Sequence, residues 1–570
     1  MARSLFKVSS LLALCTIAAC AGSEDAGVTG TGGSSSSGSA GTTGSAGTTG
    51  SAGTTGSAGT TGSAGTTGSA GTTGSAGSTV TGSAGTGDVA GRGGTTGAAG
   101  RGGTTGSAGT GGSASGGAGR GGTGGSAGGA AGRGGTTGTA GTAGGRGGTT
   151  GTAGVTGGGG MGGCTITATS TLGTIPTVGI VTFTTSAASP TSAEIHFGTS
   201  ASSLTMVAPV DLAQANYKTL LLGMKGSTSY VYRIIVNSSA GTCTSQDYTV
   251  MTGTVPSSVP KLTATISNAT AHAKGFYVSS SGIAGTGAYI FDTDGNPVWW
   301  STGPSGTSRI QMSWDGTKMY MMALNVQNND SGKVNIINMD GSGATTASGM
   351  TKSHHDMTAI PGGFATVLWN STGIDAPCSL VERDDTSGTV KTVVANINTL
   401  YNSNSFHTNS IHYYPSDNTY TLGDRNPNLY VKLSRAGALI WQLGGTNPKD
   451  ASKNFSGVGT WSVNHGHHLL ADGTFYLFNN GTGNNSTVRG FKLNTSNMTA
   501  TSTFSYTGTT VNSMVLGDVQ SLPNGNILVT ASTAGQITEL TTSMQVVATF
   551  KTTALGYTEF RESLYGPPPR

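Results

Sequence analysis

From Cys164 onward, apolar and polar residues alternate over short runs, and no long stretch repeats apolar positions at helical spacing. The β-rich runs Gly179–Thr185, Ser192–Gly198, Tyr217–Leu222, Ser229–Val236 and Tyr248–Thr252 follow one another closely. Strands this short, at this spacing, predict a small β-sandwich over residues 164–255. A break at Pro256–Pro260 follows. Beyond it a unit recurs: a β-rich run, a tight turn, and another β-rich run. The turns are Asp294-Gly295, Asp315-Gly316, Asp340-Gly341, Gly362-Gly363, Asp472-Gly473 and Asn524-Gly525. Asp-Gly and Asn-Gly between β runs are hairpin signals. A spacing of about 50 residues per unit suits a four-stranded blade, so residues 256–570 are expected to form a β-propeller of about six blades. The prediction is an all-β protein.

The sandwich run Thr228-Ser229-Tyr230-Val231-Tyr232 resembles fibronectin type III-like modules, which implies a spacer without catalysis. Asp292-Thr293-Asp294-Gly295-Asn296 superficially suggests a calcium loop. Its glycine comes too early and no bidentate Glu closes it, so a hairpin is expected.

The N-terminus changes where these domains are expected to work. Arg3 and Lys7 precede a short apolar run that is too brief to span a bilayer. Ile17-Ala18-Ala19-Cys20 resembles a bacterial lipobox, which implies a signal peptide over 1–20 and acylation of Cys20. Extracytoplasmic anchoring follows as an expectation, at the outer membrane, the cell surface or the periplasm. Residues 21–163 hold most of the chain's 99 glycines. Ser-Ala-Gly-Thr-Thr-Gly repeats from Ser39 to Gly74, and a looser pattern carries Arg92, Arg101, Arg120, Arg133 and Arg146. With almost nothing apolar to bury, the segment is expected to be a disordered tether with an r.m.s. span of roughly 60–70 Å.

The charge of +4 is spread thinly and forms no basic block, so nothing points to nucleic acid. Of five cysteines, Cys164 and Cys243 bracket the sandwich, where an oxidising compartment would favour a disulfide. Cys378 is left over as a buried thiol, and no Cys pair has zinc-site spacing.

Six of nine histidines fall in three places: His354-His355-Asp356, Phe406-His407-Thr408-Asn409, and Asn464-His465-Gly466-His467-His468. In a propeller these clusters would meet at one end of the central channel. Several histidines and one arginine converging there make a candidate site.

Residues 261–567 resemble the bacterial arylsulfate sulfotransferase family. The segment Phe406–Ile411, Arg425, and Ile440-Trp441-Gln442-Leu443-Gly444-Gly445 is similar to the family's His-x-Asn-Ser strand start, strand-end Arg and Trp-x-Leu-Gly-Gly hairpin. Asn464–Leu470 followed by Phe478-Asn479-Asn480-Gly481, and Gly517–Gln520 followed by Leu522–Asn526, match in the same order. The resemblance implies a six-bladed propeller behind a β-sandwich. It also implies sulfuryl transfer from a phenolic sulfate ester to a phenolic acceptor, without a nucleotide sulfate donor, cofactor or metal. The implied route is ping-pong through a sulfohistidine. His465 aligns with the nucleophile, His407 and Arg425 with the charge-stabilising pair, and His355 with the remaining histidine, a donor to the phenolate. Asn409, as a further donor, and His354 are the expected substrate-binding neighbours. The chain departs from the family in having Asn-His-Gly where the family has Gln-His-Asp, and in adding His467 and His468.

Two other functions fit the same residues. A metal-dependent hydrolase or lyase would use His465 and His467, since positions i and i+2 share a strand face. No carboxylate cluster accompanies them, and Arg425 would repel a cation. A non-catalytic surface binding propeller would use the histidines structurally.

Overall fold

The computed structural model describes residues 163–324, 331–371, 376–482, 486–508 and 511–568. The expected signal segment, Cys20 and the tether up to residue 162 lie outside the described residues.

Residues 166–251 form two sheets around one core. Strands Ile166–Leu172, Gly179–Thr185 and Thr219–Leu221 make the first. Met206–Pro209, Pro190–Gly198, Ser229–Ser238 and Gly241–Thr244 make the second in that order, with Tyr248–Met251 also paired to Ser229–Ser238. The alternation in Ser229–Ser238 buries Tyr230, Tyr232, Ile234 and Val236, which pack against Val181 and Phe183 of the other sheet. Cys164 and Cys243 are joined by a disulfide with Cα atoms 6.1 Å apart. Three strands here lack a strong sequence signal: Ile166–Leu172, Met206–Pro209 and Gly241–Thr244. The expected run at Tyr217 begins instead with a short 3-10 turn, Ala215–Tyr217.

Six antiparallel sheets follow among the described residues. Their first strands are Phe276–Ser280, Thr307–Met312, Ser353–Ile360, Thr408–Tyr414, Asn464–Leu469 and Asp518–Ser521. The chain ends are exchanged between the two terminal sheets. Glu559–Arg561 pairs with Phe276–Ser280 of the first sheet, and Thr263–Ile266 pairs with Val546–Lys551 of the sixth. This closure and the repeated four-strand unit make the fold propeller-like.

The expected turns lie between paired strands, and their glycines take the left-handed conformation the bend requires, as at Gly295 (φ 88°) and Gly473 (φ 87°). At Asp292 the carboxylate accepts from the N–H groups of Asp294 and Asn296 and meets Lys225 Nζ at 3.3 Å, so the segment is a hairpin tied to the sandwich. One expectation is corrected. Trp441-Gln442-Leu443-Gly444 is no hairpin but most of the outer strand Leu439–Gly444 of the fourth sheet, and Trp461 packs where a Cβ on Gly444 would sit.

The sandwich is seated on the first two sheets. Tyr565 Oη accepts from Leu222 N at 2.8 Å and donates to Leu220 O at 3.0 Å, and Thr177 Oγ1 donates to Val298 O at 2.7 Å.

Candidate active site

Four consecutive first strands break their ladders near their N-terminal ends. The register shifts between Thr307 and Arg309, Ser353 and Met357, Thr408 and Ser410, and Asn464 and His467. A bulge adds unpaired residues on one strand, bends it and re-aims its side chains. Here the unpaired residues are Ser308, His354-His355-Asp356, Asn409 and His465-Gly466. Hydroxyls of the preceding sheet hold the bulges: Ser308 Oγ donates to His355 O (2.9 Å), and Ser410 Oγ to His465 O (3.2 Å). His355 itself adopts φ 61°, an unusual backbone for a non-glycine residue.

The bulges bring the three histidine clusters together. The Nε2 atoms of His355 and His407 are 3.2 Å apart. The His355 and His465 ring centres are 6.2 Å apart. Arg425, buried, follows the strand Thr419–Asp424, and its N–H donates to His407 O at 3.2 Å. Its positive charge helps hold both His355 and His465 below the ordinary histidine pKa. For both, burial is the larger cause, and His465 is lowered to about 3. A neutral imidazole with an available lone pair is the form that can attack an electrophile.

His354 lies behind this group. Its Nδ1 meets His355 Nδ1 at 3.0 Å, its Nε2 meets Cys378 Sγ at 3.1 Å, and its ring abuts Trp369 edge-on at 4.4 Å. It supports His355 rather than standing beside it as a second open ligand. Asn409 Nδ2 donates to Asn464 O at 2.7 Å, while its buried Oδ1 meets no partner among the described residues.

His467 and His468 turn away from His465. His467 bonds Ser410 Oγ (3.0 Å) and Thr421 Oγ1 (2.6 Å) and stacks on Phe475. His468 Nδ1 accepts from Ser521 N at 2.9 Å. The bulge therefore removes the shared face that a His465/His467 metal pair needs. Among the described residues no group of three or more His, Cys, Asp or Glu is placed to hold a metal ion.

Several residues to which the sequence assigned no role complete the site. Asn480 Oδ1 sits 2.6 Å from His465 Nδ1. Asp424, raised to about 6 by burial, accepts from His407 N (2.8 Å) and Tyr401 Oη (2.5 Å). Beneath the histidines, Arg309 joins Asp356 (2.6 Å) and Asp518 (3.1 Å) across three sheets, with its guanidinium 4.5 Å from the Tyr557 ring centre. The Phe478–Gly481 motif and the adjacency of Asp424 to Arg425 were the local cues to these residues.

Residues 381–553 match the arylsulfotransferase (ASST) family model. The match takes in His407, Asn409, Arg425, His465 and Asn480, while His354 and His355 precede it. The arylsulfotransferase resemblance of the C-terminal sheets thus rests on a family match as well as on short motifs. No curated protein matches the chain. Among solved structures it is similar to the periplasmic gluconolactonase PpgL of Pseudomonas aeruginosa, at 10% identity over 50% of this chain and 99% of that one, TM-score 0.35. It is also similar to TolB from Acinetobacter baumannii, at 10% identity over 60% and 80%, TM-score 0.34. At those scores neither likeness carries an argument about chemistry.

Proposed function

We propose that this chain transfers a sulfuryl group from a phenolic sulfate ester to a phenolic acceptor through a sulfohistidine on His465. The observation that carries the reading is the meeting of His355, His407, His465 and Arg425 at one buried point, three of them within the segment that matches the arylsulfotransferase family.

In the first half-reaction a ring nitrogen of His465 forms a bond to sulfur as the bond from sulfur to the phenolic oxygen breaks. The leaving oxygen departs with the electron pair. Arg425, always charged and planar, offsets negative charge on the sulfuryl oxygens. The His355–His407 pair supplies an N–H to the phenolate. The sulfurylated imidazole is cationic, which makes neutral imidazole a good leaving group in the second half-reaction. There the acceptor oxygen bonds to sulfur and loses its proton. Over the full cycle that proton balances the one gained by the departing phenolate. No nucleotide donor and no metal enters either step.

The same reading assigns the remaining parts. The six sheets are six blades of a propeller over 256–570, and the fibronectin type III-like sandwich over 164–255 is a spacer. The signal segment 1–20, an acylated Cys20 and a tether over 21–163 hold the enzyme to a membrane outside the cytoplasm. Lipobox-like residues at Cys20 and the tether's composition support this arrangement.

The test incubates the purified chain with an aryl sulfate, with and without an acceptor phenol. Sustained phenol release only with acceptor, and a sulfuryl mass increase on the His465 peptide without it, are expected. Acceptor-independent release would indicate a sulfatase, and absence of turnover across a broad panel would remove the enzymatic reading.

A further inference from the structure

We propose that Asn480 is a positioning residue that assigns the attacking nitrogen of His465 to Nε2. This rests on the sulfuryl-transfer reading but is fixed by geometry of its own. The amide of Asn480 is buried and fully committed. Its Nδ2 donates to Ser513 O at 3.0 Å and to Leu516 O at 2.8 Å. Both are backbone carbonyls, which only accept. A flipped amide would set its oxygen against those two oxygens and leave them unsatisfied, so one orientation is allowed.

The surrounding chain holds this orientation. Ser486 Oγ donates toward Asn480 O and Ser513 O, both at 3.0 Å, and accepts from Ser513 N at 3.0 Å. Asn480 N donates to Val463 O at 3.1 Å. Val463 is β-branched yet adopts φ 56°, a strained left-handed backbone, and its own N–H is held by Asn428 Oδ1 at 2.8 Å. The left-handed turn at Val463 thus anchors the backbone of Asn480.

With the amide fixed, Asn480 Oδ1 faces His465 Nδ1 at 2.6 Å and can only accept. Nδ1 must therefore carry the proton. In a neutral ring Nε2 then holds the lone pair. The consequence extends past the first step. When Nε2 bonds to sulfur, the ring becomes cationic with its proton still on Nδ1. A neutral amide steadies that proton without pairing the cation with an anion, so the ring remains a ready leaving group.

The test reads the tautomer directly, by nitrogen NMR of the histidine-labelled full chain, alongside the burst of phenol release before acceptor is added. The wild-type His465 is expected to show protonated Nδ1 and unprotonated Nε2. Asn480→Ala should populate the other tautomer and slow the burst about tenfold, with the donor KM little changed. Asn480→Asp keeps an acceptor opposite Nδ1 and should recover the tautomer and part of the burst, a result that loss of packing alone would not give. A wild-type His465 protonated on Nε2, an unaltered tautomer in Asn480→Ala, or an Asn480→Asp burst no faster than that of Asn480→Ala would overturn the proposal. If the wild-type chain transfers no sulfuryl group, the functional reading fails while the tautomer measurement still decides the positioning of the ring.

Discussion

His355 and His407 present their Nε2 atoms to each other at 3.2 Å, so one ring donates and the other accepts. The pair holds one proton between the two atoms. A second proton would set two charges face to face beside Arg425. Burial first, and the neighbouring His407 second, hold His355 below the ordinary histidine value, which has a measurable counterpart in stability.

His354, His355, His465 and His467 all have pKa values held below 6.5, chiefly by burial, with His465 at about 3. Unfolding hydrates them and restores ordinary values, so below pH 6.5 the unfolded chain binds more protons. Their contribution to stability is complete above pH 6.5 and is lost as pH falls toward 3. Asp424 and Asp518 act oppositely. Burial raises them to about 6 and about 7, so their contribution is present at low pH and lost as pH rises through those values. Four groups outweigh two between pH 4 and 6. Stability is therefore expected to rise with pH there. His465→Asn should make that rise shallower. Thermal unfolding across the range checks this, and identical slopes in the two proteins would contradict it.

The departure at Gly466 has a structural cause. A Cβ there would lie 2.1 Å from Asp518 Oδ1 and 2.7 Å from Asp518 Cα. The space is taken by the carboxylate that pairs with Arg309 at 3.1 Å. Gly466→Asp, which restores the acid of the resembled family, should therefore destabilise the fold, by about 3 kcal/mol, rather than improve the site. Asp518→Ala in the same chain should return part of the loss, because it vacates the side-chain space but not the backbone. A double-mutant cycle from denaturant midpoints measures the coupling. Strict additivity would show that the two positions do not compete.

Arg309 is 2% exposed and bonds Asp356 through Nε, while Asp356 Oδ2 also accepts from Ile411 N at 3.0 Å and Oδ1 from Met357 N at 2.9 Å. One carboxylate thus ties the second, third and fourth sheets. Asp356→Ala leaves the buried Arg309 with Asp518 alone and strands two amides, and is expected to cost about 3–5 kcal/mol. Asp356→Asn, which keeps an acceptor, should cost visibly less. Urea unfolding distinguishes them, and equal losses would mean that packing rather than charge sets the effect.

The strands and their turns were legible because period-two runs such as Ser229–Val236 and the Asp-Gly pairs are local signals. The neighbourhood of His355, His407 and His465 was legible too, because each cluster opens a first strand. The bulges were not. One extra residue after Asn464 reverses which face His465 and His467 take, and nothing in Asn464–His468 marks it. The roles of Asn480 and Asp424 escaped for another reason. Their partners are fixed by strand register and by loops such as Ser513–Leu516, far along the chain.

The thiol behind the histidines allows a last prediction. Cys378 is 1% exposed, and burial, with Asp424 nearby, pushes its thiol well above the ordinary value. A neutral thiol inside a closed core should resist alkylation in the folded chain and react fully on unfolding. Its Sγ contacts His354 Nε2 at 3.1 Å, so the group also satisfies one end of the chain of contacts from His354 through His355 to His407. Cys378→Val fills the volume but leaves that nitrogen unpaired, at about 1–3 kcal/mol. Cys378→Ser retains a hydrogen-bonding atom and should lie closer to the wild type despite its greater polarity. Valine more stable than serine would show that His354 finds another partner and that the contact with Cys378 does not orient the histidines.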